Sequence, residues 1–228
     1  MNKDIASHTT IRPVGETAFS VEFGDAVDAD LNRLVHAYDA ALRAHPLPGL
    51  VETVPTYRSL LVMYDPLIKE AQAMRSMLLQ TLAQIDDAEL PEGRLVEIPV
   101  RYGGEWGPDL DDVAAHCGLT PDEVVRRHAG ALYQVAMLGF APGFAYLLGL
   151  PAQLATPRLP TPRLRVPPGS VGIAGEQTGV YALETPGGWR IIGRTDAILF
   201  DAARPDPFLL SAGDRVRFVP DPNCCLGR

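Results

Sequence analysis

Arg158, Arg163, Arg165 and Arg194 lie in a stretch dense in glycine, proline and aromatic residues: GFAPGFAYLLGLP from Gly139, TPRLPTPRLRVPPGSVGIAGEQTGVY from Thr156 and TPGGWRIIGRT from Thr185. A guanidinium is a fixed fork that pairs with carboxylate or phosphate oxygens through two hydrogen bonds, so convergent arginines make an anion clamp. Arg165, inside RVPPGSVG, and Arg194, after the TPGGW turn, are expected to converge from separate strands on one pocket beside Gln177. Arg158 is a further candidate for the same work, while Arg163 reads as solvated surface charge. Gln177 and Thr178 supply an amide and a hydroxyl that orient an amide-containing ligand, or else satisfy the turn before Gly179.

Gly169, Gly172 and Gly175 recur every third residue in GSVGIAG. They read equally as a backbone surface that admits an anion and as a tight barrel corner. The G-K-[ST] ending of a phosphate-binding loop is absent, and the flanks look like strands on both sides. Phe140, Phe144 and Tyr146, set among Gly139, Pro142 and Gly143, fit a loop that walls a pocket, with plain core packing as the alternative. His128 is the histidine nearest these strings. A neutral imidazole there is a candidate general base, or a favourable partner for the end of its helix. No Ser-His-Asp spacing, nucleophile elbow or H-E-x-x-H pattern accompanies it, which disfavours a self-contained hydrolase of those classes. Cys117, Cys224 and Cys225 give neither a disulfide framework nor metal-ligand spacing, and no metal site is expected.

The elements that must hold these residues fall into two sets, and the fold class expected is α+β. Over 1–90, Phe19, Val21 and Phe23 alternate as in a strand, while Leu31, Leu34, Val35, Tyr38, Ala41 and Leu42 keep helical spacing. VETV and SLLVMY follow as short strands. Asp65 and Pro66 are expected to start a second helix, with Leu67, Ala71, Met74, Leu78, Leu82 and Ile85 as its buried stripe. Strand, helix, strands, helix suggests a ferredoxin-like α/β layer. The acidic, proline-containing Asp86 to Gly93 has a linker's composition. The second domain, 91–228, begins with a strand over Leu95 to Tyr102 and continues from Ala131 as short strands punctuated by Gly and Pro, the pattern of a β-barrel.

Between them, LDDVAAHCGLTPDEVVRRH predicts two short helices around Gly118, the second opened by Thr120, Pro121 and Glu123 as a capping box. The pair imitates a DNA-binding helix-turn-helix, yet its second helix opens with Asp122 and Glu123, where phosphates would approach. Across 228 residues, 46% hydrophobic and 21% charged, the net charge is −8. That balance disfavours nucleic acid and anionic lipid as partners. With no apolar run of the roughly 18–20 residues that cross a bilayer, a cytoplasmic protein is expected.

The three strings resemble the signature of the KipI/PxpB family, also called allophanate hydrolase subunit 1, whose members carry carboxyltransferase subdomains C and D. HPLPGLVETVPTYRSLLVMYDP, IPVRYGGEWGPDL and GDRVRFVP extend the resemblance over nearly the whole chain. It implies a cyclophilin-like barrel and a role as the B-type subunit of an ATP-dependent 5-oxoprolinase, forming a joint site with a PxpC-type subunit beside a PxpA-type subunit. The substrate implied is a small lactam, 5-oxoproline, whose amide oxygen is activated with ATP and magnesium. The family also implies two alternatives. One is a KipI-like inhibitor of a sensor histidine kinase, with a groove of Phe144, Tyr146 and Trp189 taking a protein segment; the other is a stand-alone relative of the urea carboxylase carboxyltransferase region.

Overall fold

The computed structural model describes residues 9–85 and 93–221. The chain divides into two compact units, Met1–Glu92 and Gly93–Arg228. Most of the stretch read as a linker, and Cys224 and Cys225, lie outside the described residues.

The first unit runs β1 (Thr10–Val14), β2 (Ala18–Glu22), α1 (Ala29–Ala44), β3 (Leu50–Pro55), β4 (Ser59–Tyr64) and α2 (Ala71–Leu82). Its sheet is antiparallel throughout, in the order β1-β2-β4-β3. Alternation puts Leu60, Val62 and Tyr64 of β4 on the buried face, and Leu34, Val35, Tyr38 and Leu42 of α1 join them in one core with Met74, Leu78 and Leu82 of α2. Asp28 starts α1 by accepting hydrogen bonds from the amides of Asp30 and Leu31 at 2.8 and 3.1 Å. The Tyr38 hydroxyl then ties α1 to α2 by donating to the Leu78 carbonyl at 2.9 Å.

Two sequence expectations change here. An edge strand, β1, precedes the expected strand-helix-strands-helix order. Helix α2 starts at Ala71, because Asp65 shapes a turn of its own: its carboxylate accepts the Leu67 amide at 2.9 Å and its carbonyl accepts those of Ile68 and Lys69. Leu67 is therefore 95% exposed and forms no part of a buried stripe.

The second unit contains β5 (Leu95–Tyr102), α3 (Leu110–Cys117), α4 (Pro121–Gly130), β6 (Tyr133–Leu138), β7 (Ala145–Leu148), β8 (Arg163–Val166), β9 (Ser170–Ala174), β10 (Gln177–Val180), β11 (Thr185–Gly187), β12 (Arg190–Arg194) and β13 (Arg215–Pro220). Seven strands close a barrel in the order β10-β7-β6-β13-β5-β12-β9, and β8 and β11 form a separate ribbon. Neighbouring strands are antiparallel except β13, which runs parallel to β5. Period-two alternation sends Ile98, Val100, Leu147, Val171, Ile173, Val180, Val216 and Phe218 inward.

Helix α3 ends on Gly118 in the left-handed conformation, and the Thr120–Glu123 capping box opens α4. Helix α4 turns Val124, Val125 and His128 toward the barrel core. Among the described residues, no helix is long and apolar enough to cross a membrane.

Candidate functional site

His128 sits at the end of α4 with no exposed surface. Its ring stacks on Phe218 at 4.7 Å between centroids. Thr178 Oγ1 donates to the Gly172 carbonyl at 3.0 Å, so it accepts from His128 Nε2–H at 2.9 Å, and Nδ1 is left to accept from the Tyr102 hydroxyl at 2.8 Å. Burial pushes the His128 pKa down to about 3. The geometry thus makes His128 and Thr178 a closed polar link inside the barrel, where neither faces a ligand; the general-base and ligand-orienting readings give way to a structural one.

The arginines separate by their partners. Arg163, expected on the solvated surface, pairs with the buried Asp109 at 2.7 Å, and the other Asp109 oxygen accepts the Ile191 amide at 2.6 Å. It fastens the β8–β11 ribbon to the barrel. Arg165 directs its Nε and Nη2 at Glu184 at 3.0 and 2.7 Å, with 76% of its side chain exposed. Arg194 donates from Nε to the Pro168 carbonyl at 3.0 Å, and its guanidinium lies 5.5 Å from the Trp106 ring centre. Arg101 lies over the same indole at 4.4 Å and pairs with Asp196. The clamp expected of Arg165 and Arg194 is therefore split between two different sets of partners.

Arg190 pairs with Asp112 at 2.9 Å. Arg158 alone of the segment's five arginines makes no hydrogen bond or ion pair among the described residues. Its position is nonetheless fixed by the backbone: Thr156 bridges Gly175, and the Leu159 amide donates to the Gly188 carbonyl at 2.7 Å.

That segment borders the outer wall of the barrel, where a second small core forms. Phe144, Val166, Ala174, Tyr181, Trp189 and Ile191 pack together, with Tyr146 against them half-buried. Phe144 is the hub, with ring centroids 4.8 Å from Tyr146, 5.2 Å from Tyr181 and 5.4 Å from Trp189. Phe144 and Trp189 are buried, so of the groove expected from Phe144, Tyr146 and Trp189 only Tyr146 reaches solvent. Phe140, at a left-handed φ of 65°, stands 64% exposed and edge-on to Phe144 at 5.5 Å. Gln177 opens β10, two residues from Gly179, which pairs with Tyr146. Burial raises the Tyr146 phenol above its ordinary range, and the Arg158 charge opposes that rise. Burial also raises Tyr181, again against the Arg158 charge.

The glycines serve this packing. Gly169 and Gly175 hold positive φ of 81° and 59° at the two ends of β9. Between them, a side chain on Gly172 would stand 3.1 Å from Trp189 Cβ; on β10, one on Gly179 would stand 2.8 Å from the Ala145 carbonyl, 3.1 Å from the indole and 3.3 Å from Phe144. They seat an aromatic ring, and the anion-cradle reading of GSVGIAG is not needed. Sequence reasoning missed Asp109, Trp106 and Tyr181. The signal available for the first two was EWGPD, an indole and a carboxylate in one short glycine-flanked loop. Among the described residues no three His, Cys, Asp or Glu side chains gather to hold a metal.

Residues 9–210 match the family model described as carboxyltransferase domain, subdomain C and D. A curated protein from Escherichia coli O157:H7, named as the B-type subunit of 5-oxoprolinase, is 47% identical over 208 residues, with 91% of this chain and 94% of the relative covered. A protein of the same name from Bacillus subtilis (strain 168) is 42% identical over 219 residues, with 92% and 91% covered. The crystal structure of TTHA0988 superimposes with a TM-score of 0.80 at 40% identity, covering 93% of this chain and 41% of that one. This chain therefore spans about two fifths of that longer polypeptide.

Proposed function

The chain belongs to the carboxyltransferase domain family, subdomains C and D, and from that premise we propose that it is the B-type subunit of a multi-subunit, ATP-dependent 5-oxoprolinase that opens 5-oxo-L-proline to L-glutamate. The observation that carries the reading is identity of 42 and 47% to two proteins of that name along nearly their whole lengths. Two features support a joint site with a PxpC-type subunit, beside a PxpA-type subunit. The fold recurs as 41% of a longer chain, and the most obvious candidate base, His128, is sealed inside the barrel. This chain's own described residues form no carboxylate set for magnesium, so magnesium enters the proposal only as the companion of ATP on the whole complex. A complex that depends on ATP would work in the cytoplasm.

The same reading takes the first unit as a ferredoxin-like layer and the second as a cyclophilin-like barrel. Supporting the former, β2-α1-β3-β4-α2 supplies five of the six elements of a split β-α-β unit in order, with β1 adding the remaining strand from the N-terminal side. The test is glutamate release from 5-oxoproline with ATP by this chain alone, with the PxpC-type subunit, and with both the PxpC-type and PxpA-type subunits. Turnover is expected only from the assembled enzyme. Robust turnover by the single chain removes the dependence on partners, and none from the complete set removes the function.

A further inference from the structure

Arg101 on β5 and Arg194 on β12 stand directly opposite each other where the two strands pair. Facing like charges weaken a strand pair, and here only one of the two is neutralised. Arg101 pairs with Asp196 and lies 4.0 Å from Asp221. Arg194 commits its Nε to the Pro168 carbonyl at 3.0 Å, and its terminal Nη groups have no acceptor among the described residues. Both guanidiniums border Trp106, at 4.4 and 5.5 Å from the ring centre.

The backbone fixes this group from two sides. Gly103 and Gly104 turn the loop between β5 and α3 with positive φ of 70° and 54°. The Gly103 amide donates to the Ile192 carbonyl at 3.1 Å, and a side chain on Gly107 would collide with that same carbonyl. The half-buried Trp106 is therefore carried by a loop that lies backbone to backbone on β12. On the other side the Thr195 amide donates to the Gly169 carbonyl at 2.9 Å, which sets the position of the Pro168 carbonyl that holds Arg194.

We propose that Arg194 and Trp106 form an anchor point for a carboxylate side chain, Asp or Glu, of the PxpC-type subunit. This rests on the proposed function and names one contact of its assembly. A carboxylate from outside supplies the counter-charge that the β5–β12 pair lacks, and it meets a planar fork whose position is already set. This chain does not supply one: Glu105, exposed beside Trp106 in sequence, forms no ion pair among the described residues, and Asp196 and Asp221 face Arg101. An indole bordered by arginines has the composition of an interface hot spot. A protein carboxylate fits better than a small free anion. One unneutralised cation in open water holds a lone anion weakly, whereas a subunit surface around the pair excludes water and strengthens it.

The test is calorimetric titration of the full chain with the PxpC-type subunit at low and high salt. Arg194→Ala is expected to weaken association by about 10- to 100-fold, the range for losing a charge-assisted contact, and to flatten its salt dependence. Arg194→Lys recovers only part, since the planar fork is lost. Asp196→Asn releases Arg101 and is expected to tighten association by about 2- to 5-fold, a direction that loss of a purely structural ion pair would not give. Arg126→Ala, at an exposed arginine on α4, has no effect. All variants keep the wild-type melting temperature, so a change in affinity reports the contact and not the fold.

Wild-type affinity in Arg194→Ala overturns the anchor, as does an equal loss in Arg126→Ala, weaker association in Asp196→Asn, or failure of the two subunits to associate. Arg194-dependent binding of 5-oxoproline or ATP to this chain alone overturns it in favour of a small-molecule site. If the subunits associate through Arg194 but the complete enzyme does not turn over 5-oxoproline, the anchor stands and the proposed reaction falls.

Discussion

An imidazole with both nitrogens hydrogen-bonded inside an apolar barrel stays neutral, because nothing there solvates its cation. For His128 burial brings the pKa to about 3, against roughly 6.5 in an unfolded chain. Between those values the unfolded state binds the extra proton. The His128 contribution is thus fully present above about pH 6.5 and is lost as pH falls toward 3, at up to ~1.4 kcal/mol per pH unit. Urea melts at successive pH values are expected to show this slope, and His128→Asn to flatten it while lowering stability at neutral pH; an unchanged slope in the variant would assign acid sensitivity to other groups. The arginines give a second contrast. Asp109→Ala leaves the part-buried Arg163 and the Ile191 amide without their acceptor, a loss expected at about 3 kcal/mol. Arg165→Ala removes an exposed pair and is expected to cost under ~1 kcal/mol. Equal effects in denaturant melts would contradict these assignments.

Strand β9 shows how one element divides its labour. Its flanking glycines make turns, while Gly172 and its neighbour Gly179 on β10 leave the outer face flat enough for Trp189. Gly179→Ala should press on both the Ala145 carbonyl of β7 and the indole, with about 1–3 kcal/mol lost to overpacking and a red shift in tryptophan emission; a loss of stability with an unshifted spectrum would assign the strain to the strand backbone and not to the ring. The faces of α1, the capping box at Thr120 and the span of β5 were legible in the sequence, since each depends on residues within a turn or two of one another. Strand β1 was not, because TIRPV buries only Ile11 and carries a proline. Partner choice among the arginines was equally hidden. Arg163 meets Asp109 across 54 positions of sequence, and only closure of the barrel brings them together. The same holds for Gly172, whose purpose depends on a tryptophan delivered by the bend between β11 and β12.

At the scale of the molecule, each unit has its own hydrophobic core, and both tryptophans, Trp106 and Trp189, belong to the second. Tryptophan fluorescence therefore follows the barrel alone, while helical circular dichroism follows both units. The first unit closes through hairpins and a short helical crossover; the second must join β5 to β13, where Glu97 and Arg217 lie 120 residues apart. Long-range closure is slow. On refolding, the dichroism signal is expected to recover before the fluorescence, and coincident traces would show that the units fold together. The same topology governs the chain as it is synthesised. Until β13 emerges, β5 and β6 have a gap between them with two unpaired edges, and a β13 from a second copy fits it as well as the chain's own. Crowded nascent chains are thus exposed to strand exchange, and the intertwined dimer that results would contain two correctly formed barrels, each closed by its neighbour.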